Sequence, residues 1–193
     1  MASSIVFCTG GNRSGKSAFA LELANRIAGP KLFVATAEAR DPAMSQRIKK
    51  HQAARGSEWR CLEVPVSKSC HVSELLPLAL LPPPLVPQPE NGGARAVLVD
   101  CLSTWVSACQ ESWNGAPTDL ENGIIDAFDD FLSTLQKLEL PVFIVSAETG
   151  MGVIPLSAET RQFCDILGTV NQRAAQASDE AFFCVSGLTI KIK

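Results

Sequence analysis

Apolar residues in this chain come in short unbroken runs, separated by helix-forming stretches and by glycine- and proline-rich turns. Residues 4–8, 31–36, 96–100 and 141–146 read as buried strands of a parallel sheet, and 59–63 as a shorter strand. Between them, residues 17–24, 102–113, 118–138 and 157–177 carry helix periodicity or good helix formers. A further helix opens at Asp41-Pro42, with Asp41 as N-cap and Pro42 in the first turn, and extends to Arg55. Ser186-Gly187 lies between apolar runs at 180–185 and 188–192, the pattern of a terminal β-hairpin. Residues 77–94 hold many prolines and end in Glu90-Asn91-Gly92-Gly93, which predicts a surface loop in place of a helix. Strand and helix alternate, so the expected class is α/β with a mostly parallel sheet that ends in an antiparallel hairpin.

Composition narrows the class further. A chain of 193 residues fits one domain. Its net charge of −3 lacks the basic field of a nucleic-acid binder, so small-molecule partners are expected and no nucleic acid. The seven cysteines include no C-x-x-C pair and mostly lie in apolar segments, which reads as reduced core thiols and no cysteine metal site. The apolar stretch at 75–86 is interrupted by Pro77, Pro82, Pro83 and Pro84, so no membrane segment is expected. The amino-terminal strand runs straight into a glycine loop with no signal-peptide pattern, and the expected location is the cytoplasm.

That loop, Gly10-Gly11-Asn12-Arg13-Ser14-Gly15-Lys16-Ser17, fits G-x-x-x-x-G-K-[ST] between a strand and a helix. Its glycines allow successive N–H groups to face phosphate oxygens, and the helix adds its positive dipole end. Lys16 is placed to reach the β- and γ-phosphates of a nucleotide, and the Ser17 hydroxyl to ligate Mg²⁺. Asp100 ends a buried strand, the usual position of a second metal-binding acid. Ala35, Thr36 and Ala37 are small residues at a strand end, where a ligand approaches closely or the chain simply turns. Glu148 with Gly150 and Gly152 marks another strand-end loop, either part of a site or plain turn chemistry. On the helix after Pro42, Arg47 and His51 share a face beside Lys49, Lys50 and Arg55. That face is either a solvated one or a phosphate-binding one, and His51 is either part of a solvated face or catalytic. His71 has no partners at a recognisable spacing and reads as surface.

Taken in order, GGNRSGKS at 10–17, FVATA at 33–37, RIKKH at 47–51 with Trp59 and Glu63 after it, VDCLSTW at 99–105, GMGVIP at 150–155, RQFCD at 161–165 and VNQRAA at 170–175 resemble one enzyme family. It is the bifunctional adenosylcobinamide kinase and adenosylcobinamide-phosphate guanylyltransferase family of cobalamin biosynthesis. The likeness covers nearly the whole chain, through the closing VSGLTIKIK. It implies a three-layer P-loop fold of the RecA type, and usually a homotrimer.

The implied chemistry has two steps. The hydroxyl of the aminopropanol arm of adenosylcobinamide first takes the γ-phosphoryl of ATP or GTP. GMP then passes from GTP, by way of a covalent histidine, onto that phosphate, giving adenosyl-GDP-cobinamide and pyrophosphate. By resemblance the nucleophile is His51, which closes R-I-x-x-H. The nucleotide contacts carry over to Gly10 through Ser17, to Ala35, Thr36 and Ala37, to Gln52, Ala53, Ala54 and Arg55, to Glu63 and to Asp100. The chain departs from the family where Ala147 precedes Glu148 in place of Asn, and where Ala108 replaces Asn. Two other classes compete. A GTP-binding switch protein needs an N-K-x-D motif, which is missing, and a monofunctional P-loop small-molecule kinase has no use for His51 as a nucleophile.

Overall fold

The computed structural model describes residues 4–38, 42, 45–46, 52–53, 55–80 and 93–193. Its strands are β1 (Ser4–Gly10), β2 (Lys31–Ala35), β3 (Trp59–Glu63), β4 (Ala96–Asp100), β5 (Pro141–Ala147), β6 (Glu180–Val185) and β7 (Leu188–Lys191). Its longer helices are α1 (Lys16–Asn25), α2 (Val72–Leu80), α3 (Leu102–Ser112), α4 (Leu120–Gln136) and α5 (Ala158–Ala177), with short 3₁₀ turns at Val66–His71 and Pro117–Asp119.

The strands form one seven-stranded sheet in the order β3-β2-β4-β5-β1-β6-β7. All neighbours are parallel except β6 and β7, which make the expected antiparallel hairpin. Alternation along each strand sends side chains to two cores. Ile5, Phe7, Val34, Val97, Val99, Val142 and Ile144 pack against α2, α3, α4 and α5. Val6, Cys8, Phe33, Leu98, Phe143 and Val145 pack on the opposite face against Ala20 and Ala24 of α1. This is the expected three-layer α/β architecture. On the larger side Trp105, fully buried, packs on Phe128 and Phe131, and its Nε1 donates to the Ser69 carbonyl at 2.8 Å.

Register decides what meets at the carboxyl edge of the sheet. Ala35 of β2 stands level with Glu63 on one side and Asp100 on the other, and Gly10 stands level with Ala147. At the far end of α5, Ser157 caps the first turn by accepting the Thr160 N–H at 3.4 Å. Lys193 Nζ donates to the carbonyls of Ala175, Gln176 and Ser178 at the helix's C-terminus.

Two expectations need correction. The loop predicted from residue 77 gives way, over its first four residues, to α2, which runs through Pro77. Pro77 cannot donate to the preceding turn, but its ring is exposed, and burial of Val72 and Leu76 outweighs the lost bond. Residues 81–92, the rest of that loop, lie outside the described residues. The thiols are also less uniformly core than expected: Cys8, Cys109 and Cys184 are buried, Cys70, Cys101 and Cys164 half-buried, and Cys61 exposed. Cys61 is exposed because β3 is an edge strand. His71 is exposed as expected, and pairs with Glu74 at 3.3 Å.

Candidate active site

A left-handed residue at the end of the glycine loop starts the site. Gly15 has φ +95° and is the N-cap of α1, so the loop turns sharply and delivers Lys16 and Ser17 into the first helical turn. Gly10 has φ +156°, and a Cβ there would lie 2.2 Å from the Cys184 carbonyl of β6. Only glycine fits that approach. The hairpin supports the loop from the other side, where Gly187 N–H donates to the Ser14 carbonyl at 3.0 Å. Behind the loop, burial pushes the Cys8 thiol up to about 12. Burial also raises the Cys184 thiol, more than nearby Lys16 lowers it, and both stay protonated at neutral pH.

Lys16 is only 6% exposed, and its Nζ donates to the Gly11 carbonyl at 3.0 Å, which folds the ammonium back over the loop. Ser17 Oγ donates to Asp100 Oδ1 at 3.2 Å. The pairing follows from topology, since β4 is two strands from β1 and its end faces the start of α1.

In front of these groups opens a cavity of about 950 Å³. Lys16, Asn12 and Asp100 line its phosphate-loop end; Glu148 and Thr149, after β5, line it as well. The Glu148 N–H donates to the Gly10 carbonyl at 3.0 Å, and its carboxylate accepts the Gly150 N–H at 2.6 Å. Elsewhere the wall is formed by Phe33, Ala35, Ala37, Glu63, Gln52 and Arg55. The Arg55 guanidinium lies over the Phe33 ring, 3.8 Å from its centroid, and donates to Cys61 Sγ at 3.6 Å.

Apart from Gly10, Gly11, Arg13, Ser14, Gly15 and Ser17 of the phosphate loop, the sequence-predicted residues separate into three groups. Lys16, Asn12, Ala35, Ala37, Gln52, Arg55, Glu63 and Asp100 meet at the cavity. Thr36 is buried behind it, its hydroxyl bonded to Cys101 and Thr104. His51 and Ala54, with Arg47, Lys49 and Lys50, lie outside the described residues, and Ala53 is helical and exposed. Of the strand-end loop, Glu148 and Thr149 line the cavity and Gly150 and Gly152 do not. Sequence reasoning missed Phe33 and Cys61, because an apolar strand residue looks the same whether it faces a core or a cavity. Among the described residues no cluster of three or more His, Cys, Asp or Glu is built to hold a metal. No helix among them is long and apolar enough to cross a membrane.

The family model for cobinamide kinase / cobinamide phosphate guanyltransferase matches residues 6–192. The chain belongs to this family. The bifunctional adenosylcobalamin biosynthesis protein CobU of Salmonella typhimurium is 33% identical over 98% of this chain and 99% of its own length. The Escherichia coli protein of the same name is 31% identical over the same shares. CobP of Pseudomonas aeruginosa, also called a bifunctional adenosylcobalamin biosynthesis protein, is 33% identical over 95% of this chain and 94% of its own. Among solved structures, a KaiC-like protein of Pyrococcus horikoshii aligns with 93% of this chain and 70% of its own, at 12% identity and a TM-score of 0.48.

Proposed function

We propose that this member of the family is a cytoplasmic enzyme that carries out both transfers in succession: phosphorylation of adenosylcobinamide, then transfer of GMP from GTP onto the new phosphate. The observation that carries this reading is the convergence of Lys16, Asp100, Glu63, Gln52 and Arg55 on one cavity, with Ser17 bonded to Asp100 beside it. Gln52, which directly follows His51 in the chain, lines that same cavity.

In the first transfer the aminopropanol oxygen bonds to the γ-phosphorus of ATP or GTP as the bond from that phosphorus to the bridging oxygen breaks. The loop N–H groups and the Lys16 ammonium balance charge on the departing nucleoside diphosphate. Ser17 Oγ and Asp100 Oδ1 are hard oxygen donors 3.2 Å apart, a set that suits Mg²⁺. Mg²⁺ held by these two residues would supply charge neutralisation to the transfer. In the second transfer a neutral imidazole nitrogen of His51 attacks the α-phosphorus of GTP and pyrophosphate leaves. A phosphate oxygen of adenosylcobinamide phosphate then attacks the same phosphorus, the P–N bond breaks and free histidine returns.

We further propose the homotrimer implied by the family resemblance. Met151, Val153, Ile154 and Leu156 in the loop after β5, and Leu188 and Ile190 on β7, are large and exposed, as surfaces covered by a second copy are.

The two-step reading is tested with purified protein, adenosylcobinamide, Mg²⁺ and either γ-labelled ATP or α-labelled GTP. Label from ATP should reach the corrinoid as a monophosphate, and label from GTP should follow once that phosphate exists. A corrinoid that is phosphorylated but never guanylylated would identify the monofunctional kinase instead.

A further inference from the structure

Thr36 lies between two cavity-wall residues, Ala35 and Ala37, yet is only 4% exposed and sits behind Cys101 and Thr104. Its Oγ1 accepts the Cys101 N–H at 2.8 Å and lies 2.8 Å from the Cys101 carbonyl oxygen and 2.6 Å from Thr104 Oγ1. Thr104 Oγ1 in turn donates to the same carbonyl at 3.0 Å. The Thr36 N–H donates to the Asp100 carbonyl at 3.4 Å. Thr36 thus bonds both polar groups of Cys101 and the carbonyl of Asp100 at the end of β4, and the Cys101 carbonyl also accepts the Trp105 N–H at 3.1 Å. Asp100 is the last residue of that strand, and its carboxylate accepts from Ser17 at 3.2 Å.

We propose that Thr36 is the positioning residue for the Asp100 carboxylate, aiming it at the metal side of the nucleotide phosphates without touching the nucleotide through its side chain. This rests on the reading of Ser17 and Asp100 as the Mg²⁺ site. A carboxylate on the last residue of a strand turns with its own main chain. Loss of the clamp lets β4's last peptide rotate and spreads the carboxylate over directions that do not meet the ion. Valine has the shape of threonine without the hydroxyl, and removes the acceptor of the part-buried Cys101 N–H. Serine keeps the hydroxyl.

The test uses the full chain with Mn²⁺ as the probe, its binding read by electron paramagnetic resonance in the presence of a non-hydrolysable ATP analogue. Affinity of the analogue alone is measured in EDTA. Thr36→Val should weaken Mn²⁺ binding about tenfold, the scale on which groups that orient metal ligands act. Metal-free nucleotide affinity should fall by a smaller factor than Mn²⁺ affinity, and Thr36→Ser should restore Mn²⁺ binding. A merely structural threonine would lower thermal stability without moving the Mn²⁺ constant, and that outcome overturns the proposal. So does a loss of metal-free nucleotide affinity equal to the loss for Mn²⁺, which would mark Thr36 as a direct contact. Asp100→Asn separates the two readings: if it weakens Mn²⁺ binding and Thr36→Val does not, only this inference fails. If Asp100→Asn leaves Mn²⁺ binding intact, the metal assignment fails first. Should Thr36→Val not fold, Thr104→Val is expected to shift the Mn²⁺ constant in the same direction by a smaller factor, and no shift overturns the proposal.

Discussion

Replacing Lys16 by methionine separates nucleotide binding from folding. The Lys16 side chain is buried to 6% exposure, with its ammonium on the Gly11 carbonyl. Methionine fills nearly the same volume, so the ligand-free protein should stay folded. Bound phosphates, in contrast, lose charge-assisted hydrogen bonds together worth about 3 kcal/mol, roughly a hundredfold in Kd. A non-hydrolysable ATP analogue at about one hundred times the wild-type Kd stabilises the native state by about 2.7 kcal/mol. For a chain of this size that raises Tm by about 5–10 °C. In Lys16→Met the same concentration only matches the weakened Kd and adds about 0.4 kcal/mol, a shift under about 2 °C. Scanning calorimetry with and without the analogue measures both quantities. A full nucleotide-induced shift in Lys16→Met would refute the role of the loop, and a collapsed ligand-free Tm would refute the claim that Lys16 contributes little to the fold.

Gly10→Ala puts a methyl group 2.2 Å from the Cys184 carbonyl, and should destabilise the protein by more than about 2 kcal/mol in urea unfolding while weakening nucleotide binding. Trp105→Ala removes a fully buried ring that packs on Phe128 and Phe131, and should cost about 3–5 kcal/mol in the same assay. Light scattering at micromolar concentration should give three times the mass of one chain, and a monomer mass would refute the assembly.

The phosphate loop was legible because its chemistry demands glycine: Gly10 and Gly15 adopt backbone angles that the pattern itself encodes. The central strands were legible because runs such as Ala96–Asp100 are buried on both faces. The helix through Pro77 was not legible, since local propensity argues against it and tertiary contacts hold it: burial of Val72 and Leu76, and Arg60 bonded to the carbonyls of Ala79 and Leu80. The Thr36 clamp was hidden for another reason. Thr36 and Thr104 are 68 residues apart and meet only because β2 pairs with β4, a register that no local pattern displays. The exposed apolar side chains at Met151, Val153, Ile154 and Leu156 were likewise invisible, because hydropathy alone does not say which apolar residues the fold leaves outside.

The central claim, that one chain both phosphorylates and guanylylates, turns on a covalent histidine. Intact-mass spectrometry after incubation with GTP and Mg²⁺ tests it most directly. The wild-type protein should gain the mass of one GMP, and the adduct should be labile in acid and stable in alkali, as a phosphoramidate is. His51→Ala should show no adduct and no GMP transfer while it still phosphorylates adenosylcobinamide, because that step passes through no enzyme-bound phosphate. No adduct on the wild-type protein under turnover conditions, or an adduct that persists in His51→Ala or maps to His71, would contradict the account.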